Sequence, residues 1–377
     1  MIYTKNSSEN LNVFDFKKHV IDNFKGIESD FSLKFAIIEK KKKMKLSILD
    51  QGPISDGQTP QKALENMRGA VKLADKLGYH RFWFAEHHNT PGFASSAPEL
   101  SIAHLAGQTE KIRLGSGGTM MMHYAPYKMA ETFKTLSAYA PGRIDFGAGR
   151  APGGDGKAIM ALSEGKDTRF QDLYQKLSET LQLMKDENGE DFYNQNVIAS
   201  PENIVLPEVF MLGSTGNSAR EAGKMGLSYA YVQFFTGNID RDIFDVYREN
   251  FAPSDFQKEP NVLACYMVTV AETKEEAEFN ALSTDIARMQ LYTGKKISRM
   301  SPEDAQNYEM TDAERMFIEQ NKNWHIRGEI NEVVDYLKNQ QQKHGFDELM
   351  ICTIPFGQDF KLKEYEMLAK AFDLKTV

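Results

Sequence analysis

The sequence predicts an α/β protein in which eight parallel strands, joined by helices, close into a barrel. From Met44 onward, short apolar runs alternate with longer segments of helical periodicity, which is typical of parallel strands connected by crossover helices. Eight such units follow one another, and the 377 residues, 41% of them hydrophobic, can bury a core of that size. A closed barrel has no exposed sheet edges, so we favour a (β/α)8 TIM barrel over an open sheet.

The strands and helices are expected in regular order. The predicted strands are 44–52, 81–88, 112–118, 143–149, 208–214, 227–235, 261–271 and 347–355. The predicted helices are 60–77, 98–111, 127–140, about 169–187, 217–226, about 240–250, one that begins at Thr273, and 329–344. The clearest boundaries belong to the first helix, where Thr59 is the expected N-cap and Gly78 follows the last turn. Another clear boundary is the capping box from Thr273 to Glu276.

Three segments do not fit this repeat. Residues 188–207 are polar and bounded by proline, and 293–328 form a long insertion before the eighth unit. Insertions of this kind commonly lie at barrel mouths, where they shape or cover a site. Residues 1–43 are polar with poor periodicity and end in four lysines, so we expect a poorly structured extension or an early start codon ahead of Met44. The barrel domain is then 44–377.

The composition argues against several kinds of partner. The formal net charge is −8 and no dense basic face occurs in the body of the chain, so nucleic acid is not expected to bind. No apolar run approaches the roughly 20 residues that a membrane-spanning helix requires. The two cysteines, Cys265 and Cys352, lie far apart in apolar runs, which indicates core thiols in a reducing, cytoplasmic compartment.

The second predicted strand ends in Glu86, His87 and His88. Catalytic groups of such barrels lie where strands end, and histidine is suited to proton transfer near neutral pH. Because side chains alternate along a strand, one histidine should be the reactive group while the other points away. A histidine with a purely structural role is the alternative. No third ligand follows at a suitable spacing, so no metal site is predicted.

Other strand ends carry residues suited to holding an anion or a closely approaching ligand. Arg150 lies in the glycine-rich segment 146–156 after the fourth strand, where its guanidinium could bind a phosphate or carboxylate. Gly117 and Gly118 end the third strand, where glycine is costly unless a ligand or another backbone comes close, or unless the strand bulges. The fifth strand leads into a helix through Ser214, Thr215, Gly216 and Ser218. That helix start could bind a phosphate or be an ordinary cap.

With these motifs, residues 44–357 resemble the bacterial luciferase-like flavin-dependent oxidoreductases, a monooxygenase family built on an eight-stranded α/β barrel. The similar motifs are LDQGPI, FWFAEHH, RLGSGGTMM, GRIDFGAGRAPGGD, LGSTGNSA and DELMI. The resemblance implies an enzyme that uses reduced FMN and oxygen on a small-molecule substrate. It also implies a separate NAD(P)H-dependent flavin reductase as electron source, and a homodimer.

The resemblance further implies roles for individual residues. His87 corresponds to the histidine that the luciferases use near the flavin, and Glu86 and His88 would shape its environment. Arg150 corresponds to the arginine that binds the flavin phosphate. The family's phosphate-binding segment after the fifth strand matches Thr215, Gly216 and Ser218, with Ser214 beside them.

The resemblance also implies one feature of the backbone, and the sequence departs from luciferase at two positions. The Gly117–Gly118 peptide falls where luciferase has a non-prolyl cis peptide against the flavin ring. Gly149 stands where luciferase has a cysteine, and Gln233 where it has a tryptophan, so neither light emission nor a long-chain aldehyde substrate is implied. We therefore expect an FMN-dependent monooxygenase. The alternatives are a deazaflavin-dependent dehydrogenase on the same fold and a flavin-binding protein without turnover.

Overall fold

Parallel strands close into a barrel in the computed structural model, which describes residues 44–189, 193–240 and 242–376. The strands of this described part are β1 Lys45–Asp50, β2 Arg81–Phe84, β3 Arg113–Ser116, β4 Thr119–Met120, β5 Ile144–Gly149, β6 Glu208–Gly213, β7 Ser228–Val232, β8 Val262–Ala271, β9 Ile326–Glu329 and β10 Glu348–Cys352. The order around the barrel is β1-β2-β3-β5-β6-β7-β8-β10, and β10 pairs with both β8 and β1. This closure confirms the predicted barrel. The predicted extension 1–43 lies outside the described residues.

Helices connect the strands and cover the outside of the barrel. They are α1 Pro60–Leu77, α2 Pro98–Ala106, α3 Pro126–Tyr139, α4 Gly156–Ser163, α5 Leu173–Met184, α6 Gly216–Lys224, α7 Ile243–Glu249, α8 Lys274–Tyr292, α9 Pro302–Gln306, α10 Asp312–Gln320, α11 Ile330–His344 and α12 Gln358–Ala371. Helix α4 was not predicted from the sequence. Strand β9 was not predicted either, and it lies in the late insertion beside the second half of β8. Of the helices described, none has both the length and the apolar character needed to cross a bilayer.

Several predicted strands extended too far, including the first and the last, which end at Asp50 and Cys352. The second strand ends at Phe84, the third ends at Ser116, and the sixth ends at Val232, where a 3-10 turn begins. After Phe84 the backbone leaves the sheet, because the N–H groups of His87 and His88 donate to carbonyls of loop residues rather than to a neighbouring strand. The polar residues at this point therefore lie on a loop above the barrel.

The strands are buried on both faces, as expected when helices surround a parallel sheet. In β1, Leu46 and Ile48 pack in the layer between strands and helices, whereas Leu49 packs in the interior of the barrel. The interior cluster also contains Trp83 and Phe210, whose rings meet edge to face at 4.9 Å. The barrel is therefore a packed core that opens only at the carboxyl ends of the strands.

A buried ionic cluster ties the amino ends of the strands together. The guanidinium of Arg81 donates to Asp145 at 2.7 Å, to Glu348 at 2.6 Å and 3.0 Å, and to Glu208 at 3.2 Å. Arg113 also donates to Asp145, at 2.8 Å. Burial by itself raises the pKa of Asp145 and Glu348, but the charge of Arg81, together with a second nearby cation and the hydrogen bonds that each carboxylate accepts, outweighs burial and holds both pKa values below the ordinary range. One side chain of β2 thus links β5, β6 and β10.

Replacing Arg81 with methionine should lower the free energy of unfolding by about 3–5 kcal/mol, because buried carboxylates lose their counter-ion. Urea-induced unfolding at neutral pH measures this change. Lys62→Met is the control, since Lys62 and its partner Glu65 are both exposed and such a pair contributes at most about 1 kcal/mol. An Arg81 variant as stable as that control would show that the cluster does not hold the barrel together.

Candidate active site

Two adjoining cavities lie at the carboxyl ends of the barrel strands. The outer cavity has a volume of about 370 Å³, and a smaller one of about 100 Å³ lies toward the centre of the barrel. Both are lined by Gly117, Met120 and Leu212. The outer cavity brings together six of the residues that the sequence singled out, which are Gly117, Gly118, Arg150, Ser214, Thr215 and Ser218. The inner cavity is lined by Glu86 and His87.

The glycine pair forms the wall where the two cavities meet. The Gly117–Gly118 peptide is cis, as the resemblance implies. A Cβ on Gly117 would lie 2.7 Å from Leu49 Cδ1, and one on Gly118 would lie 2.9 Å from the carbonyl oxygen of Gly147. No side chain fits at either position without moving the barrel wall. The packing of the barrel wall therefore requires glycine at both positions, at the place where the two cavities meet.

Arg150 lies at the outer rim, directly after β5. Its side chain is exposed, and its guanidinium stacks over the ring of Phe170 at 4.9 Å. It forms no ion pair with any residue in the described ranges. Phe170 precedes α5, which also contributes Tyr174 to the same cavity. Neither aromatic residue is predicted from the sequence, because nothing in the local pattern separates them from ordinary residues at a helix start.

The segment from Ser214 to Ser218 begins helix α6. Thr215 is the N-cap and forms a capping box with Ser218. The Ser218 hydroxyl is buried, donates to the Thr215 carbonyl at 2.8 Å, and lies 3.1 Å from the Tyr229 hydroxyl. Thr215 and Gly216, in contrast, are exposed. Because the first N–H groups of a helix lack intrahelical acceptors, this end can bind an anion, with Ser218 fixing the turn beneath it.

Glu86 is a buried hydrogen-bond acceptor rather than a free carboxylate. It accepts from the N–H of Met120 at 2.9 Å, from the hydroxyl of Tyr124 at 2.6 Å, and it contacts His88 Nε2 at 2.8 Å. Burial, followed by the charge of Glu86, raises the pKa of Tyr124 above its ordinary range, so the phenol keeps its proton. Glu86 and His88 therefore join the loop after β2 to β4 and hold it in place.

His87 differs from its two neighbours because its ring nitrogen Nε2 forms no hydrogen bond within the described chain. Its ring stacks on Phe93 at 4.4 Å with an interplanar angle of 22°, and Nε2 is buried without a hydrogen-bond partner in the described chain. Burial, followed by the nearby charges of His88 and Arg299, lowers the pKa of His87 to about 4. The imidazole is therefore neutral at neutral pH and can accept a proton from a ligand in the cavity.

The late insertion contributes to the mouth, as predicted. Arg299 of this insertion and Arg288 of α8 line a third cavity of about 80 Å³, which also contains His87. No motif marks either arginine, although an arginine in the apolar stretch of α8 is an unusual feature that could have drawn attention. Within the described residues, no group of three or more His, Cys, Asp or Glu side chains is arranged to hold a metal ion.

In the ligand-free protein, His87 should titrate at about pH 4, well below the ordinary histidine value, because protonation would place a charge in a poorly hydrated space. NMR of histidine ring carbons as a function of pH measures this pKa. The spectrum of His87→Gln assigns the signal by its disappearance. A midpoint at pH 6 or above would mean that the ring is better hydrated than the structure indicates.

Comparison with known proteins agrees with this geometry. Residues 44–348 match the model of the luciferase-like monooxygenase family. The chain is 34% identical over 333 residues to N-acetyl-S-alkylcysteine monooxygenase of Bacillus subtilis (strain 168), covering 87% of this chain and 98% of that protein. The crystal structure of apo-MsnO8 superposes with a TM-score of 0.81 and 31% identity, covering 89% of this chain and 99% of the other.

Two more distant structures share the fold alone. The oxygenating constituent of 3,6-diketocamphane monooxygenase from Pseudomonas putida, solved in complex with FMN, has a TM-score of 0.63 and 19% identity over 89% of this chain and 99% of its own. An F420-dependent secondary alcohol dehydrogenase, solved with an F420-acetone adduct, has a TM-score of 0.64 and 16% identity, covering 88% of this chain and 99% of its own. The family model and the relatives at 34% and 31% identity agree on one assignment: this chain belongs to the luciferase-like monooxygenase family.

Proposed function

We propose that this protein is an FMN-dependent monooxygenase that uses reduced FMN and oxygen to oxidise a small organic substrate. The observation that carries the proposal is the run of adjoining cavities from Arg150 at the rim to the unpartnered nitrogen of His87 inside. One end has the cation and helix start that suit a phosphate, and the other end has a neutral base in an enclosed, mainly apolar space.

The residues at both ends fit FMN. Arg150, without an ion-pair partner in the described chain, and the N-terminus of α6 at Thr215 and Gly216 would hold the phosphate. Gly117 and Gly118, which have no room for a Cβ, would let the flat ring lie against the backbone. When bound, FMN supplies the electron transfer and the oxygen activation that side chains cannot perform.

The chain's own contribution is to bind, enclose and move a proton. Leu212, Val232 and Phe234 line the inner cavity and exclude water from it. His87 accepts a proton from the substrate or returns one through Nε2, and its stacking on Phe93 fixes the ring for that task. Glu86 and His88 act as positioning residues, because their hydrogen bonds hold the loop that carries His87.

The electron source and the assembly extend this proposal. We infer a separate NAD(P)H-dependent flavin reductase, because the sequence contains no complete dinucleotide-binding fingerprint. We also propose a homodimer, which rests on the family resemblance. Sedimentation analysis of the full chain tests the dimer, and oxidation of NADH with and without an added flavin reductase tests the electron source.

Two other functions share the fold and are separated by simple measurements. A deazaflavin-dependent dehydrogenase would bind F420 in preference to FMN and would need no oxygen. A flavin-binding protein without turnover would bind FMN but give no product from aldehydes, ketones, sulfonates and thioethers in the presence of reduced FMN and oxygen. Thioethers belong in this panel because the relative from Bacillus subtilis is named for an S-alkylcysteine substrate. Titration calorimetry with FMN and F420, followed by this panel, distinguishes all three.

Arg150→Ala should weaken FMN binding by about 10- to 100-fold, because a charge-assisted contact to phosphate is lost. The affinity for riboflavin, which has no phosphate, should not change. Titration calorimetry of wild type and variant with both ligands measures the difference. Equal losses for FMN and riboflavin would mean that Arg150 acts on the ring or on the fold rather than on the phosphate.

His87→Ala should lower kcat by about 10²- to 10⁴-fold on whichever panel compound the wild type oxidises, because a positioned proton acceptor is removed. Its FMN affinity should stay within about threefold of wild type, since His87 lies away from the phosphate end. Steady-state product formation and FMN titration provide the two measurements. Full turnover in the variant would show that His87 is not required for the reaction.

A further inference from the structure

We propose that Arg288 and Arg299 form a binding site for the oxyanion head group of the substrate, so that the substrate is a small organic acid with an apolar body. This inference rests on the proposed function, because it places the substrate beside the base of that same site. The site is the cavity of about 80 Å³ between α8, the late insertion and the end of β10.

The arginine cavity adjoins the proposed reaction site. His87, Gln51 and Phe234 line both this cavity and the inner cavity of the barrel. A molecule whose head group lies between the two arginines therefore has its other end beside His87. The volume suits a head group with a few attached atoms, since one water molecule occupies about 30 Å³ in the liquid.

Arg299 is buried with part of its hydrogen-bonding capacity unused. Its side chain is 2% exposed, and Nη1 donates to the carbonyl oxygen of Ile354 at 3.0 Å. Its Nε is buried and has no partner within the described residues. The nearby Asp56 accepts from the backbone N–H of Arg299, so it leaves the guanidinium without a carboxylate contact. One donor is thus available for a ligand.

Arg288 is held entirely by neutral groups. Nη2 donates to the carbonyl oxygen of Phe234 at 2.9 Å, Nη1 contacts the sulfur of Met267 at 2.7 Å, and the phenol of Tyr292 interacts with the same side chain. The nearest acidic residue in sequence, Asp285, is engaged elsewhere, because it accepts from His325 at 2.9 Å and from Arg327. Asp285 therefore acts on the charge of Arg288 only at a distance, and no carboxylate of the described residues contacts Arg288 where it lines the cavity.

Two buried cations that contact no carboxylate of the described chain are unfavourable by themselves, even with Asp50, Asp56 and Asp285 acting on them at longer range. Removing a guanidinium from water costs several kcal/mol unless an anion compensates, so a fold gains nothing from two such groups at one cavity. Burial lowers the pKa of Arg299 to about 10 and lowers that of Arg288, yet both remain charged at neutral pH. A carboxylate or sulfonate supplied by a ligand would balance this charge and accept from the free Nε.

Most of the remaining lining is apolar. Phe93, Met267, Leu291 and Ile354 surround the space between the guanidinium groups. Such a wall favours a hydrocarbon body and disfavours a strongly hydrated ion such as inorganic phosphate. The ligand class is therefore an organic acid, with its head group at the arginines and its oxidisable portion toward His87.

Titration calorimetry of the FMN-free full chain with hexanoate and with hexanamide tests the site. The two ligands have the same body, and only the first has a charge. Hexanoate, tested up to about 10 mM, should bind at least about tenfold more tightly than hexanamide, because only hexanoate can accept a charge-assisted hydrogen bond from the arginines. Hexanesulfonate is a second probe, and a preference for it over hexanoate would identify the head group as a sulfonate.

Arg299→Met and Arg288→Met should each reduce hexanoate affinity by at least about tenfold while FMN affinity is unchanged. Arg315→Met is the matched control, because Arg315 is exposed in the same insertion and pairs only with surface groups. Arg299→Lys and Arg288→Lys keep the charge and should retain part of the hexanoate affinity. If a methionine variant does not fold, the corresponding lysine variant is measured in its place.

Equal binding of hexanoate and hexanamide by the wild type, or no binding of hexanoate and hexanesulfonate, would overturn the oxyanion site. FMN binding measured on the same protein separates this failure from a failure of the proposed function. If FMN binds and the acids do not, the substrate inference alone is wrong. If FMN does not bind, the proposed function fails whatever the acids do.

Discussion

The guanidinium of Arg81 lies among carboxylates from three other strands, and the geometry of the barrel depends on that contact. Its partners are Asp145 on β5, Glu208 on β6 and Glu348 on β10, and β10 is the strand that closes the barrel by pairing with β1. A buried charge of this kind tolerates few alternative arrangements, because any shift in register would leave an unpaired ion in the core. The cluster therefore helps to fix which strand ends meet at the opposite mouth, where the candidate active site lies.

The mouth has two ends with different physical characters. At the rim, Arg150 and the exposed start of α6 combine positive charge with access to solvent, which suits a phosphate that is held but not transformed. Inside, His87 lies in a space from which water is largely excluded, so its pKa falls to about 4 and its nitrogen remains free. A ligand that joins a charged group to a flat apolar ring matches both ends at once.

Different parts of the chain supply the cofactor end and the substrate end. The glycine pair, Arg150 and the 214–218 segment belong to strand ends of the barrel, whereas Arg299 belongs to the late insertion and Arg288 to the helix before it. Barrel strand ends are rigid, and insertions vary without disturbing the core. With the proposed function, such a division would let the same barrel keep its cofactor while the insertion determines which substrate enters.

Much of the architecture was predictable from local patterns. Alternating apolar runs and helical segments identified the barrel, and polar or glycine residues after apolar runs identified Glu86, His87, Gly117 and Arg150. Because the carboxyl ends of parallel strands meet at one mouth, those positions were expected to converge, and they do line adjoining cavities. The sequence alone therefore determined the fold class and the location of the site.

The tertiary structure decided what each residue is free to do. The carboxylate oxygens of Glu86 already accept hydrogen bonds from Met120 and Tyr124, which belong to the next unit. The Ser218 hydroxyl already forms hydrogen bonds within its own helix cap and with Tyr229. His87, one position along from Glu86, keeps an unused Nε2 because no partner from another described segment reaches it. Hydrogen-bond partners and exclusion of water come from residues distant in sequence, so neither local pattern nor spacing could reveal them.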